Sequence, residues 1–251
     1  MNMNANEVIA NRAIEILGGT RGDYTLVNPN DHVNYGQSTN DVIPTAGKIT
    51  TLRLLENLLS ELISLQTAFE GKAVEFDDVI KMGRTQMQDA VPVRLGQEFR
   101  AYADSVQRGI ARIKKAAFLA VGNDVTITMA AEAGQLELNA FEPIIFYCLF
   151  QSIDTLTHAI HTFTENCVVG ITANADHCRD LVENSVGIIT ALAPHIGHQY
   201  AADIAKQALK TGTSVRKLIL EENLLSEGIL NVVLDPISLT MPGIPGKEVL
   251  K

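Results

Sequence analysis

The sequence of 251 residues has no tryptophan, and aromatic residues make up only 5% of it. A platform of aromatic side chains for stacking bases is therefore not expected. The formal net charge is −9 and no basic run occurs, which argues against nucleic acid as the main partner. A small dianionic substrate stays compatible with this charge, because helix ends and single Lys or Arg side chains can hold one.

Cysteines and long apolar runs are also scarce. The three cysteines, Cys148, Cys167 and Cys178, are odd in number and form no C-x-x-C pair, which favours a reduced setting. The N-terminal stretch 1–6 is polar and does not resemble a secretory signal. The longest apolar run, around 144–150, is too short to span a membrane. These features predict a cytoplasmic protein with no membrane partner.

Apolar residues at helical spacing are abundant in the sequence. Hydrophobic residues make up 46% of the chain, enough for a sizeable core. The pattern predicts a helix from Glu7 to Leu17, a long helix from Asp41 onward, and another from Pro92 to about Ala120. The stretch Val79–Ala90 between the last two is interpreted as irregular. Alternation at period two is almost absent, so the predicted fold class is all-α.

The predicted architecture has two parts. Residues 1–166 are expected to form long antiparallel helices of a central helical bundle, and residues 167–251 a small C-terminal helical domain. A few long helices with wide apolar faces make a thin core by themselves. We therefore expect self-association to complete it.

The segment Gly36–Asp41 places small polar side chains directly before the longest predicted helix. Ser38, Thr39 and Asn40 all favour a helix N-cap, where side-chain oxygens accept free backbone N–H groups. A helix start also carries a partial positive charge. The segment is therefore interpreted either as a plain cap or as a cradle for a carboxylate.

A second polar cluster, Gly83–Ala90, contains Thr85 and Gln86. It is interpreted as a glycine-marked turn that leads into a helix, like the first cluster. Two such loops can converge on one ligand when their helices pack antiparallel. Neither cluster contains a Ser-His-Asp arrangement or the spacing of metal ligands, so no metal site is predicted.

Several motifs together resemble the aspartase/fumarase superfamily, in the family's order and over nearly the whole chain. They are Asn2-Met3-Asn4-Ala5-Asn6-Glu7, Asn28-Pro29-Asn30-Asp31-His32-Val33-Asn34, Gln37-Ser38-Thr39-Asn40-Asp41, Gly83-Arg84-Thr85-Gln86 with Gln88-Asp89-Ala90, Ala131-Glu132-Ala133-Gly134-Gln135-Leu136-Glu137-Leu138-Asn139, and Gly187-Ile188-Ile189-Thr190. Within the superfamily, Asn28 and Gln86 stand where fumarases usually have His. This favours the aspartase side.

The resemblance implies a lyase that removes ammonia from L-aspartate to give fumarate, without a cofactor, as a homotetramer. The implied substrate-binding residues are Ser38 and Thr39 for the β-carboxylate. Asn40, Thr85 and Gln86 are implied for the amino group, and Asn4 is placed near the same pocket. The intermediate is an aci-carboxylate, whose extra negative charge must be met by preorganised donors.

The sequence departs from the family at the catalytic loop. Family members carry Gly-Ser-Ser-x-Met-Pro-x-Lys-x-Asn, whose second Ser is the general base, and no such segment occurs here. The chain passes from one family helix to a much later segment near 119–121, and the family's N-terminal domain is not present. No catalytic residue is therefore identified, and turnover by this chain is expected to be absent or very weak. Two alternatives are a fumarate hydratase-like relative and a non-catalytic helical oligomerisation fragment.

Other titratable residues have structural interpretations beside functional ones. His32 is interpreted as a hydrogen-bonded loop residue, and His158 and His161 as structural. Arg84 is either a pocket cation or the partner of a salt bridge that fixes the Gly83 turn. The carboxylates Glu132, Glu137 and Glu142 fall on different helix faces, so capping or interhelical contacts account for them as well as acid–base chemistry does.

Overall fold

The computed structural model of the protein describes residues 2–122 and 142–250. The long helices are α1 (Asn2–Ile16), α2 (Thr39–Glu75), α3 (Leu95–Gly122) and α4 (Glu142–Phe163). Shorter helices follow: α5 (Ala175–Glu183), α6 (Ile189–Ile196), α7 (His198–Thr211), α8 (Val215–Glu221) and α9 (Glu227–Val233). The mainly helical class predicted from periodicity is confirmed. Within the described ranges, no helix has the length and hydropathy needed to cross a membrane.

Two strands, β1 (Ile80–Thr85) and β2 (Gln88–Arg94), form one antiparallel hairpin. The prediction of an irregular segment at Val79–Ala90 was therefore wrong. The prediction that Pro92 opens a helix was also wrong, because Pro92 lies in β2 opposite Met82 and the helix begins at Leu95. A proline is tolerated there because β2 has only one neighbouring strand.

Two helix starts also differ from the predictions. Helix α1 begins at Asn2 rather than Glu7, so the first motif is helical. Helix α2 begins at Thr39 and continues through Gly71, where an interruption had been considered. The periodic apolar face of α2 continues on both sides of Gly71, and the helix follows it.

The described chain divides into two compact units: residues 1–62 with 109–160, and residues 63–108 with 161–251. The division predicted from the sequence, 1–166 and 167–251, concerns family domains and stays a prediction.

In the first unit, one face of α1 is buried at four-residue spacing by Asn2, Asn6, Ala10 and Ile14. Elsewhere in this unit, α2 and α4 approach each other where Gly47 meets the ring of Phe146. A Cβ atom on Gly47 would overlap that ring. The close approach therefore requires a residue without a side chain at position 47.

Replacement of Gly47 by Ala is expected to lower the free energy of unfolding by about 1–3 kcal/mol, because the Phe146 ring must leave its position. Gly71→Ala is the matched control, since it lies inside the same helix and its Cβ would meet nothing within 4 Å. The control is expected to be neutral or to stabilise by up to about 1 kcal/mol, as Ala is the better helix former. Urea unfolding of both variants measures the difference, and equal effects would contradict the packing described for Gly47.

In the second unit, the core is built from the C-terminal helices and the inner face of the hairpin. Ile80 and Met82 of β1 are buried in the same cluster as side chains of α5 to α9. The members with the least exposure are Leu192, Ile204, Ile219, Leu230 and Val233. The hairpin is thereby anchored by one face on the helical core, while its tip extends into solvent.

Candidate active site

The first predicted cluster forms the start of helix α2. The Ser38 Oγ accepts a hydrogen bond from the Asn40 backbone N–H at 3.2 Å. The Ser38 carbonyl accepts from the N–H groups of Asp41 and Val42, each at 3.1 Å. Ser38 is therefore the N-cap, and the cap predicted for this cluster is confirmed. A hydroxyl that accepts one such bond keeps its O–H as a donor.

A network of hydrogen-bonded side-chain amides includes the Thr39 hydroxyl. Buried Asn2 donates from Nδ2 to the Thr39 Oγ1 at 3.1 Å and to the Asn34 Oδ1 at 3.1 Å. Buried Asn6 donates to the same Asn34 oxygen at 3.0 Å. The network ties α1, the loop before α2, and the first residue of α2 together. The Thr39 hydroxyl is held as an acceptor on the protein side and keeps its proton for a ligand.

Asn2, Asn6 and Asn34 were not predicted to be supporting residues. The available signal was the four-residue spacing of Asn2, Asn6 and Ala10, which puts them on one helical face. That signal was hidden because the helix was predicted to begin only at Glu7. Asn4, the predicted pocket residue of this motif, is exposed on α1, whereas Asn2 and Asn6 are buried. Its role in binding stays a prediction.

The loop before α2 is ordered by its own side chains. The Asn28 Oδ1 accepts from the N–H groups of Asn30 and Asp31 at 2.8 and 3.1 Å, which caps the short π-helix Pro29–Val33. The Asn28 backbone N–H donates to the His32 Nδ1 at 2.9 Å. The interpretation of His32 as a hydrogen-bonded loop residue is confirmed.

The second predicted cluster is the tip of the hairpin in the other unit. Thr85 pairs with Gln88 across the turn, and Gln86 and Met87 form it with φ angles of 50° and 63°. Turns with two positive φ angles suit the twist of a hairpin and usually contain Asn or Gly. Thr85 and Gln86 are exposed, and among the described residues none hydrogen-bonds to either side chain. Their polar groups are therefore open to a ligand.

Arg84 pairs across the hairpin with Asp89, with 3.4 Å between its Nε and the Asp89 Oδ1. The two residues also face each other in the strand register. The interpretation of Arg84 as a salt-bridge residue beside the Gly83 turn is confirmed. Because both side chains are largely exposed, the ion pair contributes at most about 1 kcal/mol and mainly fixes geometry.

Two cavities of the described residues do not include the predicted site residues. A cavity of about 630 Å³ in the second unit is lined by Ile80, Arg179 and Arg216, near the start of β1. A groove of about 380 Å³ in the first unit is lined mainly by apolar side chains, Leu55 and Phe146 among them. The predicted site residues are exposed on the surface of their own unit: Ser38 and Thr39 in the first, Thr85 and Gln86 in the second.

Of the remaining titratable candidates, His158 and Glu142 lie within the described residues of the first unit. His158 contacts the Asp154 carbonyl at 2.9 Å, in line with its structural interpretation. Burial raises the pKa of Glu142, while nearby Lys48 acts in the opposite direction. Glu132 and Glu137 lie outside the described residues. Within the described part of the chain, no group of three or more His, Cys, Asp or Glu side chains is arranged to hold a metal ion.

The segment Met241–Lys247 has a superficial likeness to the family's catalytic loop. In the structure, contacts made by Pro245 and Gly246 hold this segment in place. The Pro245 carbonyl lies 2.8 Å from the His195 Nε2, and Gly246 packs on Val233 with a φ of 65°. A segment fixed in this way, and without serine, gives no reason to assign it the role of the loop.

Comparison with known proteins agrees with this geometry. A family profile described as Lyase matches residues 1–142, and one described as Fumarase C C-terminus matches residues 188–241. In solved structures, the chain superposes on a Brucella melitensis protein described as fumarate lyase:delta crystallin with a TM-score of 0.88 and 33% identity, over 96% of this chain and 78% of that one. A class II fumarase from Schistosoma mansoni, at a TM-score of 0.81 and 24% identity over 96% and 78%, shares the fold. The fold and the matched family profiles thus define a helical lyase.

Curated relatives identify the branch. Aspartate ammonia-lyase of Bacillus subtilis strain 168 is 37% identical, with all of this chain and 78% of the relative covered. That of Corynebacterium glutamicum is 36% identical, with coverages of 100% and 70%. The chain belongs to the aspartase/fumarase superfamily, in its aspartate ammonia-lyase family.

The same alignment bears on the missing segment. It runs over 369 positions although the chain has 251 residues, so the Bacillus subtilis relative carries more than a hundred positions that this chain lacks within the matched span. The predicted absence of a family segment is confirmed in this sense. Its predicted place, near 119–121, stays a prediction.

Proposed function

We propose that the chain is an aspartate ammonia-lyase polypeptide that provides the substrate-binding part of the site. The observation that carries the proposal is the start of α2. There, the hydroxyls of Ser38 and Thr39 lie at a helix N-terminus, and each accepts one hydrogen bond from a protein donor. Each hydroxyl keeps its proton as a donor toward a ligand, and the helix end favours an anion. This arrangement suits a carboxylate.

The reaction removes a proton from Cβ of L-aspartate and breaks the Cα–N bond, so that ammonia leaves and a double bond forms. Between these events the β-carboxylate becomes an aci-carboxylate with additional negative charge. Ser38 and Thr39 donate to its oxygens, and this interaction is stronger in the transition state than in the ground state. Asn40, Thr85 and Gln86 hold the amino group, and Asn4 lies near the pocket.

The proton acceptor is missing from this assignment. By resemblance, the family's general base is a serine of the Gly-Ser-Ser-x-Met-Pro-x-Lys-x-Asn loop, and the chain has no such sequence. The Lys and Asn that hold the α-carboxylate belong to the same loop. We therefore assign no catalytic residue, and we expect the chain to bind its substrate without converting it at a useful rate.

The proposed assembly is a homotetramer in the cytoplasm, without a cofactor. Helix α4 supports self-association, because it exposes the large apolar side chains Ile144, Ile145, Tyr147 and Leu156. Their side chains are between about half and two thirds exposed in the single chain, which suits a helix face that another subunit covers. The absence of a C-x-x-C pair supports a reduced compartment.

A second candidate function, a non-catalytic helical assembly module, is favoured by one observation. The long amphipathic helices are intact although the family's loop is missing. A stable oligomer in light scattering that binds neither L-aspartate nor fumarate would favour it.

The substrate assignment is tested in a version of the chain that carries the relatives' central segment. With L-aspartate, formation of fumarate is followed by its ultraviolet absorbance, and L-malate is supplied in a parallel assay. We expect turnover of L-aspartate and little or none of L-malate, since Gln86 and Asn28 stand where fumarases usually have His. Faster conversion of L-malate would replace the proposal by a fumarate hydratase-like function.

A further inference from the structure

A buried serine of the C-terminal helical elements is hydrogen-bonded to the hairpin that carries Thr85 and Gln86. Ser185 is only 6% exposed, and its Oγ donates to the Asp89 Oδ2 at 2.9 Å. The same oxygen accepts from the Gly187 N–H at 3.0 Å and so caps the 3₁₀ turn Val186–Ile188. Both the proton and an acceptor position of this hydroxyl are thus used, which gives it one orientation.

Asp89 connects the fixed Ser185 hydroxyl to the tip of the hairpin. Its second oxygen, Oδ1, faces the Arg84 Nε at 3.4 Å, directly across the ladder. The next pair toward the turn is Thr85 with Gln88. With one oxygen on Ser185 and the other on Arg84, the carboxylate plane is fixed, and so are both strands beside Thr85.

The backbone contact at this point leaves little freedom. A Cβ atom on Gly187 would lie 2.7 Å from the Ala90 carbonyl oxygen, so the 3₁₀ turn touches β2 without a side chain between them. The register shifts between Met82 and Arg84, where Gly83 faces two residues of β2. Irregularities of this kind bend a strand and re-aim its side chains, and they are common beside active sites.

The turn itself needs such support. Gln86 and Met87 both have positive φ angles although neither is glycine, and Met87 is 99% exposed. A non-glycine residue in this region is disfavoured and persists only when its surroundings determine it. Since Gln86 and Met87 are exposed in the described part of the chain, the determining contacts are those at the base of the tip.

We infer that Ser185 is a positioning residue of the substrate site. Through Asp89, its hydroxyl fixes the hairpin tip so that Thr85 and Gln86 present their polar groups in one arrangement. The inference rests on the proposed function for its ligand, the amino group of the substrate. The clasp formed by Ser185, Asp89 and Arg84 rests on the contacts alone.

The test compares Ser185→Ala with Ser226→Ala in the full chain. Ser226 is a matched control, because it also caps a helix of this unit, with its Oγ accepting from the Ile229 N–H, and among the described residues no hydrogen bond joins its side chain to the hairpin. Hydrogen exchange of the amides in residues 82–92 is measured together with the affinity for L-aspartate, which carries the amino group. For Ser185→Ala we expect exchange in this segment to rise about tenfold and L-aspartate affinity to fall several-fold, because the clasp is lost. The control is expected to change neither.

Asp89→Ala provides a second variant if Ser185→Ala does not fold, since Asp89 is exposed and its loss breaks the same clasp. It should raise exchange in the same segment. Unchanged exchange in both variants would overturn the clasp. Raised exchange with unchanged L-aspartate affinity would overturn the positioning role, whereas no L-aspartate binding by the unaltered chain would overturn the proposed function and the role that rests on it.

Discussion

Insertion of the Bacillus subtilis relative's central segment near residues 119–121 is expected to raise the rate of fumarate formation from L-aspartate by at least about 10⁴-fold. A positioned general base contributes about 10²–10⁴-fold, and a clamp that prevents a misplacement of the substrate by about 1 Å contributes about 10²-fold. By resemblance, the inserted segment supplies both, as the loop serine and the Lys-Asn clamp. The present chain keeps only the donors of Ser38 and Thr39.

The rate is measured from ultraviolet absorbance at equal protein concentration, with light scattering to compare the assembly of the two chains. The control is the same insertion with Ala in place of the second loop serine, which should remove about 10²–10⁴-fold of the gain. Comparable turnover by the 251-residue chain without the insertion would show that another residue acts as the base.

The second large effect concerns Thr39. In the chain with the inserted segment, Thr39→Val is expected to lower kcat/KM by about 10²–10³-fold, the usual consequence of removing one donor to a developing oxyanion. Valine keeps the shape of the side chain. Asn2 retains its hydrogen bond to Asn34 but loses the one to Thr39, which costs the fold about 1–3 kcal/mol.

Thr50→Val is the matched control for this variant. Thr50 lies on the same helix, and its hydroxyl proton is already used within that helix, in a hydrogen bond to the Ala46 carbonyl at 2.8 Å. Its kcat/KM should stay close to that of the parent. If Thr39→Val behaved like Thr50→Val, the Thr39 hydroxyl would have no place in the substrate site.

Local chemistry was enough to predict the first half of the site. The apolar spacing along α2 predicted a long helix, and the preference of serine for N-caps placed Ser38 at its start. Both signals act between residues a few positions apart. This is why they can be read from the sequence and survive in the fold.

The second half was placed wrongly because its determinants are not local. Gln86 and Met87 lack the Asn-Gly signal of a two-residue turn, and Pro92 has the sequence context of a helix start. What makes the segment a hairpin is burial of Ile80 and Met82 against helices that follow about a hundred residues later in the chain. The hydrogen bond from Ser185 to Asp89 has the same long range, so the sequence could not indicate it.

The amide network behind Thr39 is an intermediate case. Asn2, Asn6 and Asn34 all belong to motifs that indicated the family, and the spacing of the first two is helical. Predicting the helix to begin at Glu7 removed the first two from consideration. Polar residues at four-residue spacing before an apolar helix therefore indicate a buried hydrogen-bonded face as well as a cap.

Fumarate binding to the 251-residue chain tests the central claim most directly, because binding does not need the missing base. The measurement is a titration with fumarate followed by ligand NMR, with L-aspartate as competitor and Thr39→Val as the comparison. The account predicts saturable binding that L-aspartate displaces, much weaker binding by Thr39→Val, and no conversion of either ligand during the titration. Absence of saturable binding, or equal binding by the variant, would contradict it.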